Sequence, residues 1–108
     1  MSTLVPNITI QNCASGEFLP DATAKSLIGY GVTPRAYKLI RLFVNNPKGL
    51  LAPIMIDFDN GFPNPLTLDP AILTNVLPAI IDFPNMPDAG KIFVFGGGGD
   101  VMNYQLFW

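Results

Sequence analysis

The chain has 108 residues, 49% of them apolar and 13% charged, with six bases, eight acids and a formal net charge of −2. That length holds one domain with a modest core, and so few bases exclude a nucleic-acid footprint. The charged share is well under the usual value of about 25%, so part of the surface is expected to lie against protein neighbours in an oligomer or assembly. A lone domain with a surface of Asn, Thr, Gly and Pro loops is the other reading.

The N-terminus "MSTLVPNITIQN" carries no base and no continuous apolar core, so it does not read as a secretory signal. No apolar run approaches the roughly 20 residues needed to span a membrane. A cytoplasmic setting is expected, and the Asn7-Ile8-Thr9 sequon then reads as coincidence. "LVPNITI", near 4–10, reads as a strand. Cys13 is the only cysteine, which leaves no intrachain disulfide. It reads as a small buried or half-buried side chain, not a nucleophile. A short turn is expected near "DATAKSLI".

Residues 34–45, "PRAYKLIRLFVN", allow two readings. Arg35, Lys38 and Arg41 recur every three positions, and Thr33 and Pro34 could open a helix. Aromatic and β-branched content and the following "NNPKG" favour a strand over 36–44, with a hairpin turn into the next strand near 50–58. That strand ends in "PIMIDFDN", which returns as "PAIIDFPN" at 78–85. Both copies read as strand or segment exits, with Asp accepting turn N–H groups. "LDPAILTNVLP" offers one or two helical turns, with Asp69 as cap and Pro78 as stop. Strands near 91–95 and 101–107 close the chain. Met102, Tyr104, Leu106 and Trp108 alternate with Asn103 and Gln105, and Phe107 puts a ring on the outer face. "IFVF" is apolar on both faces and needs a second cover.

These elements predict an all-β domain over 1–108. It is a small antiparallel β-sandwich or barrel, jelly-roll-like, with long Pro/Gly loops and one or two short helical turns. "FGGGGD" between the last two strands reads as a flexible hairpin connection, because no helix follows to make a phosphate cradle. Gly97 and Gly98 are candidate points of close approach by a partner.

Chemistry-bearing groups are sparse. Without histidine, neither Ser-His nor Cys-His pairs can form, and one cysteine makes no zinc site. No enzyme and no cofactor are expected. Asp57, Asp59 and Asn60 in "DFDNG" are the best hard-cation ligands, although Asp-Asn-Gly is also ordinary turn chemistry. Phe62, Phe107 and Trp108 are candidate interface anchors. Arg35, Lys38, Arg41 and Lys48 cluster in the first half, whereas Lys91 is the only base among six aspartates in the second. Such a division could orient copies against one another.

A charge-poor, β-rich chain with proline- and glycine-punctuated loops resembles small structural proteins of tailed-phage virions, particularly capsid cement or decoration proteins. The resemblance is one of overall make-up and carries no residue over. It implies a non-enzymatic virion component, assembled in the host cytoplasm. Such a component binds neighbouring protein subunits, such as a capsid protein, as a homo-oligomer, without nucleic acid or membrane. The alternative is a small carbohydrate- or ligand-binding β module, with a cation at Asp57-Asp59-Asn60.

Overall fold

Proline and glycine cut most of this chain into short runs, and among the described residues those runs pair as strands. The computed structural model describes residues 12–58, 66–73, 77–96 and 98–108. The strands are β1 Cys13–Phe18, β2 Lys25–Ser26, β3 Tyr37–Val44, β4 Ile54–Phe58, β5 Leu66–Leu68, β6 Ala79–Met86, β7 Ile92–Gly96 and β8 Met102–Phe107. Single 3-10 turns occur at Leu27–Tyr30, Pro47–Gly49 and Ala89–Lys91. No helix among the described residues is long and apolar enough to cross a membrane.

Among the described residues two four-stranded sheets form, in the orders β1-β8-β3-β6 and β2-β7-β4-β5. Every neighbouring pair is antiparallel. The pairings nest: first strand with last, second with seventh, third with sixth, fourth with fifth. This is the strand order of a jelly roll, one long antiparallel ribbon wrapped into a two-layer sandwich.

The core lies between the layers. Along β3, Ile40, Leu42 and Val44 are buried while Leu39, Arg41 and Phe43 are partly exposed, a period of two. Met102 and Leu106 of β8 join them, facing Ile54 and Ile56 of β4 and Ile92 and Val94 of β7. Burying each such side chain contributes roughly 1.5–3 kcal/mol. Leu27, in a 3-10 turn capped by the Ser26 hydroxyl, closes one side of this core.

The strands expected at 36–44, 91–95 and 101–107 are present within a residue or two, and 34–45 holds a strand, not a helix. The expected strand at 4–10 lies outside the described residues. That at 50–58 starts only at Ile54, because Leu51 and Ala52 bond sideways to Asp100. "NNPKG" is not a hairpin turn: β3 and β4 lie in different sheets, and the segment arches between them through Pro47–Gly49. "FGGGGD" likewise leads from β7 in one sheet to β8 in the other. Asp69 caps a turn, its carboxylate accepting Ala71 N–H and its carbonyl accepting Ile72 and Leu73 N–H.

The repeated motif begins a strand each time, β4 after Pro53 and β6 after Pro78, but its aspartates differ. Asp57 is buried near the end of β4. Asp82 is not at a strand exit, because β6 runs on through Pro84 and Asn85 to Met86. Its carboxylate pairs with Arg41 on β3 and accepts no turn N–H. Cys13 is exposed on edge strand β1, contrary to the burial expected for it.

Candidate assembly interface

Antiparallel order fixes which loops share an end. The β1–β2, β3–β4, β5–β6 and β7–β8 loops emerge at one pole of the sandwich. They carry Leu19, Leu51, Ile72, Leu77 and Val101, all exposed, with Leu51 at 76%, Ile72 at 71% and Leu77 at 68%. Ile80, the second residue of β6, is exposed at the same end. Among the described large apolar side chains, Leu66 is the one exposed residue that starts its strand from the other end. Exposed apolar side chains gathered at one pole make it the candidate contact surface.

Hydrogen bonds lace these loops together. Gly96 N–H, at the end of β7, donates to Asp21 O in the β1–β2 loop at 2.8 Å. Asp100 Oδ2 in the β7–β8 loop accepts Leu51 N–H at 2.8 Å and Ala52 N–H at 3.3 Å in the β3–β4 loop. Lys48 Nζ, from that same loop, donates to Leu73 O of the β5–β6 loop at 2.8 Å. Gly98 sits so close to Leu51 that an added Cβ would lie 2.9 Å from the leucine Cβ. The four loops therefore form one tied surface, which lowers the ordering cost of docking. Asp21 also accepts Thr23 N–H and pairs with Lys25 at 2.7 Å, and that ammonium holds its carboxyl below the ordinary range.

The opposite pole is different in kind. There the chain closes with Asn12 and Trp108 exchanging backbone hydrogen bonds. The Trp108 ring meets Tyr37 edge-on at 5.7 Å, and the Arg35 guanidinium lies 4.6 Å from its centre. Burial pushes the Tyr37 phenol up, and its hydroxyl donates to Thr33 O at 2.7 Å. A groove of about 290 Å³ beside Trp108 is lined by Tyr37, Lys38, Asn85, Met86 and Pro87.

Of the residues singled out from sequence, the described ones are spread over the fold. Asp57 lies buried in β4, and Asp59, Asn60, Phe62 and Gly97 lie outside the described residues. Among the described residues no three Cys, Asp or Glu side chains gather into a metal-binding group. Gly98 belongs to the apolar pole. Phe107 stands on the outer face of the first sheet, opposite Leu39 and Cys13. Trp108 packs on its own core at the far pole.

Sequence reasoning missed Leu19, Leu51, Ile72 and Leu77. The signal was present in "FLP", "LLAP", "PAIL" and "VLP", where apolar residues sit beside proline in loops. Burying one of them contributes roughly 1.5–3 kcal/mol, against association costs of about 4–15 kcal/mol. One pole alone would therefore support only a weak contact. No family model matches the chain, and no curated protein is similar to it.

Proposed function

We propose that this protein is a non-catalytic assembly subunit that docks end-on, through its apolar pole, against other protein subunits. The observation that carries this reading is the gathering of Leu19, Leu51, Ile72, Leu77 and Val101 on loops hydrogen-bonded to one another. Jelly rolls recur in viral capsid domains, lectins and cupins. That recurrence supports a virion component of the capsid cement or decoration type, as fold-level analogy. Binding at many equivalent positions would offset weak individual contacts.

Sedimentation velocity over a concentration series tests the docking. The wild-type chain forms species larger than a dimer or binds its shell, and Leu51→Asp/Ile72→Asp abolishes that docking while unfolding is unchanged. An equally adhesive double variant would sink the proposal. The virion component is tested separately by the gene's neighbours, which should include capsid or tail genes.

A second reading has one observation in its favour. A cleft of about 320 Å³ between the pole and the first sheet is lined by Glu17, Asn45, Asn46, Asp100 and Asn103, amides and carboxylates suited to sugar hydroxyls. Calorimetry against oligosaccharides, with and without Ca²⁺, tests it, and heats equal to dilution alone would dismiss it.

A further inference from the structure

The outer face of the first sheet is uneven. On its β1–β8 half it presents Ser15, Glu17, Asn103 and Gln105. On its β3–β6 half the outward residues form three cross-strand pairs: Leu39 opposite Pro84, Arg41 opposite Asp82, and Phe43 opposite Ile80. Two apolar rows thus flank a single ion pair. Phe107, opposite Leu39 on β8, prolongs the first row. Ile80 is 55% exposed, and a cleft of about 220 Å³ lies among Arg41, Phe43, Ile80 and Gln105. The ion pair is bidentate, Nε to Oδ1 at 2.7 Å and Nη2 to Oδ2 at 3.1 Å, so both charges hold fixed positions.

We infer that two copies of this chain pair face to face through the β3–β6 half of the first sheet, with both apolar poles pointing the same way. Face-to-face copies are related by a two-fold axis lying in the plane between them. An axis running along the strands, between β3 and β6, exchanges the strands and keeps the rows. It sets Arg41 over the second copy's Asp82, Phe43 over the second copy's Ile80, and Leu39 over the second copy's Pro84. Every row then meets its complement. An axis across the strands would instead set Arg41 on Arg41 and Asp82 on Asp82, a like-charge arrangement that binding disfavours.

The charge pattern therefore selects the orientation as well as the partner. In that orientation both poles of the dimer face one side, so the second docking becomes intramolecular once the first has formed. Only this consequence rests on the assembly reading; the pairing rests on the sheet face.

Sedimentation velocity of the full chain up to about 100 µM is expected to show a dimer. Ile80→Glu and Arg41→Glu each raise its dissociation constant about tenfold or more, and Arg41→Glu/Asp82→Arg restores it. Ile80→Glu carries the decision, since Ile80 is exposed and circular dichroism will show whether the fold is kept. Spin labels at Leu51→Cys in a Cys13→Ser background report orientation, and their separation should be shorter than the length of the sandwich. A chain that stays monomeric, or a dimer indifferent to Ile80→Glu, overturns the inference. A dimer lost to Leu51→Asp but not to Ile80→Glu places self-contact at the pole. That overturns the face pairing while leaving the docking reading in force. Labels a full sandwich apart overturn the shared direction of the poles.

Discussion

Asp100 and Leu51 belong to loops that follow different sheets, yet the Asp100 carboxylate accepts the Leu51 N–H at 2.8 Å. The most exposed apolar side chain of the pole is thus held by its backbone and not by its own packing. Asp100→Ala should cost about 1.5–3 kcal/mol, the range for a hydrogen bond to a charged group. Asp100→Asn, which keeps an acceptor oxygen, should cost less. Thermal melting gives the stability. Hydrogen exchange at Leu51 and Ala52 should speed up in the alanine variant alone if the contact fixes the loop.

Gly96 and Gly99 both have positive φ, at 125° and 91°. Their surroundings separate them. A Cβ on Gly96 would collide with the Pro53 carbonyl oxygen, whereas nothing lies near Gly99. Gly96→Ala should therefore destabilise by about 3 kcal/mol or more, because backbone must move. Gly99→Ala should cost about 1 kcal/mol, the left-handed penalty alone. Equal losses on urea unfolding would contradict this assignment.

The Arg41 guanidinium beside Asp82 holds that carboxyl below its ordinary range. A folded-state value below the unfolded one stabilises at pH above the unfolded value and is lost as pH falls through the folded one. Stability attributable to Asp82 should accordingly fade through the acid side of the carboxylate range. Asp82→Asn should remove that share of the acid dependence. The pair is exposed, so raised salt should shrink the effect. A Tm-versus-pH curve unchanged by Asp82→Asn would refute the linkage.

Trp108 is the only tryptophan, which makes its fluorescence a direct report on the far pole. It is half-buried against Tyr37 and Arg35. Trp108→Ala should cost about 2 kcal/mol, below the range for a fully buried ring. Because Trp108 lies at the pole opposite Leu51, docking by the apolar loops should survive in whatever fraction stays folded. Loss of docking from a folded Trp108→Ala chain would show that the poles are not independent.

What could be read from the sequence depended on whether a residue's environment is local. β3 and β8 were legible because each supplies its own alternation, Ile40-Leu42-Val44 and Met102-Tyr104-Leu106. β1, "CASGEF", has no apolar period and is a strand because β8 offers it an edge to pair with. "NNPKG" and "FGGGGD" have the composition of hairpin turns, but turn chemistry encodes a reversal, not which sheet the next strand joins. Asp57 and Asp82 share one motif and differ in burial and in cross-strand neighbour, Phe93 and Arg41, since the sheet and the opposing strand decide both. The apolar pole was hidden for a related reason. Its side chains come from four separate loops, and only the nested pairing brings those loops to one end.

That nesting also governs how the chain must fold. The innermost pair, β4 with β5, closes over the short segment 59–65, whereas pairing Cys13 with Phe107 must gather nearly the whole polypeptide. Loop-closure entropy therefore favours growth from the centre outward, with the β1–β8 seam completed last. Until then β8 lacks its outer neighbour and Phe18 stays out of the core. Folding should be slow for a domain of this size, on the millisecond-to-second scale typical of all-β topologies. A nascent chain stalled short of β8 would expose Ile40 and Leu42, both fully buried in the finished sandwich.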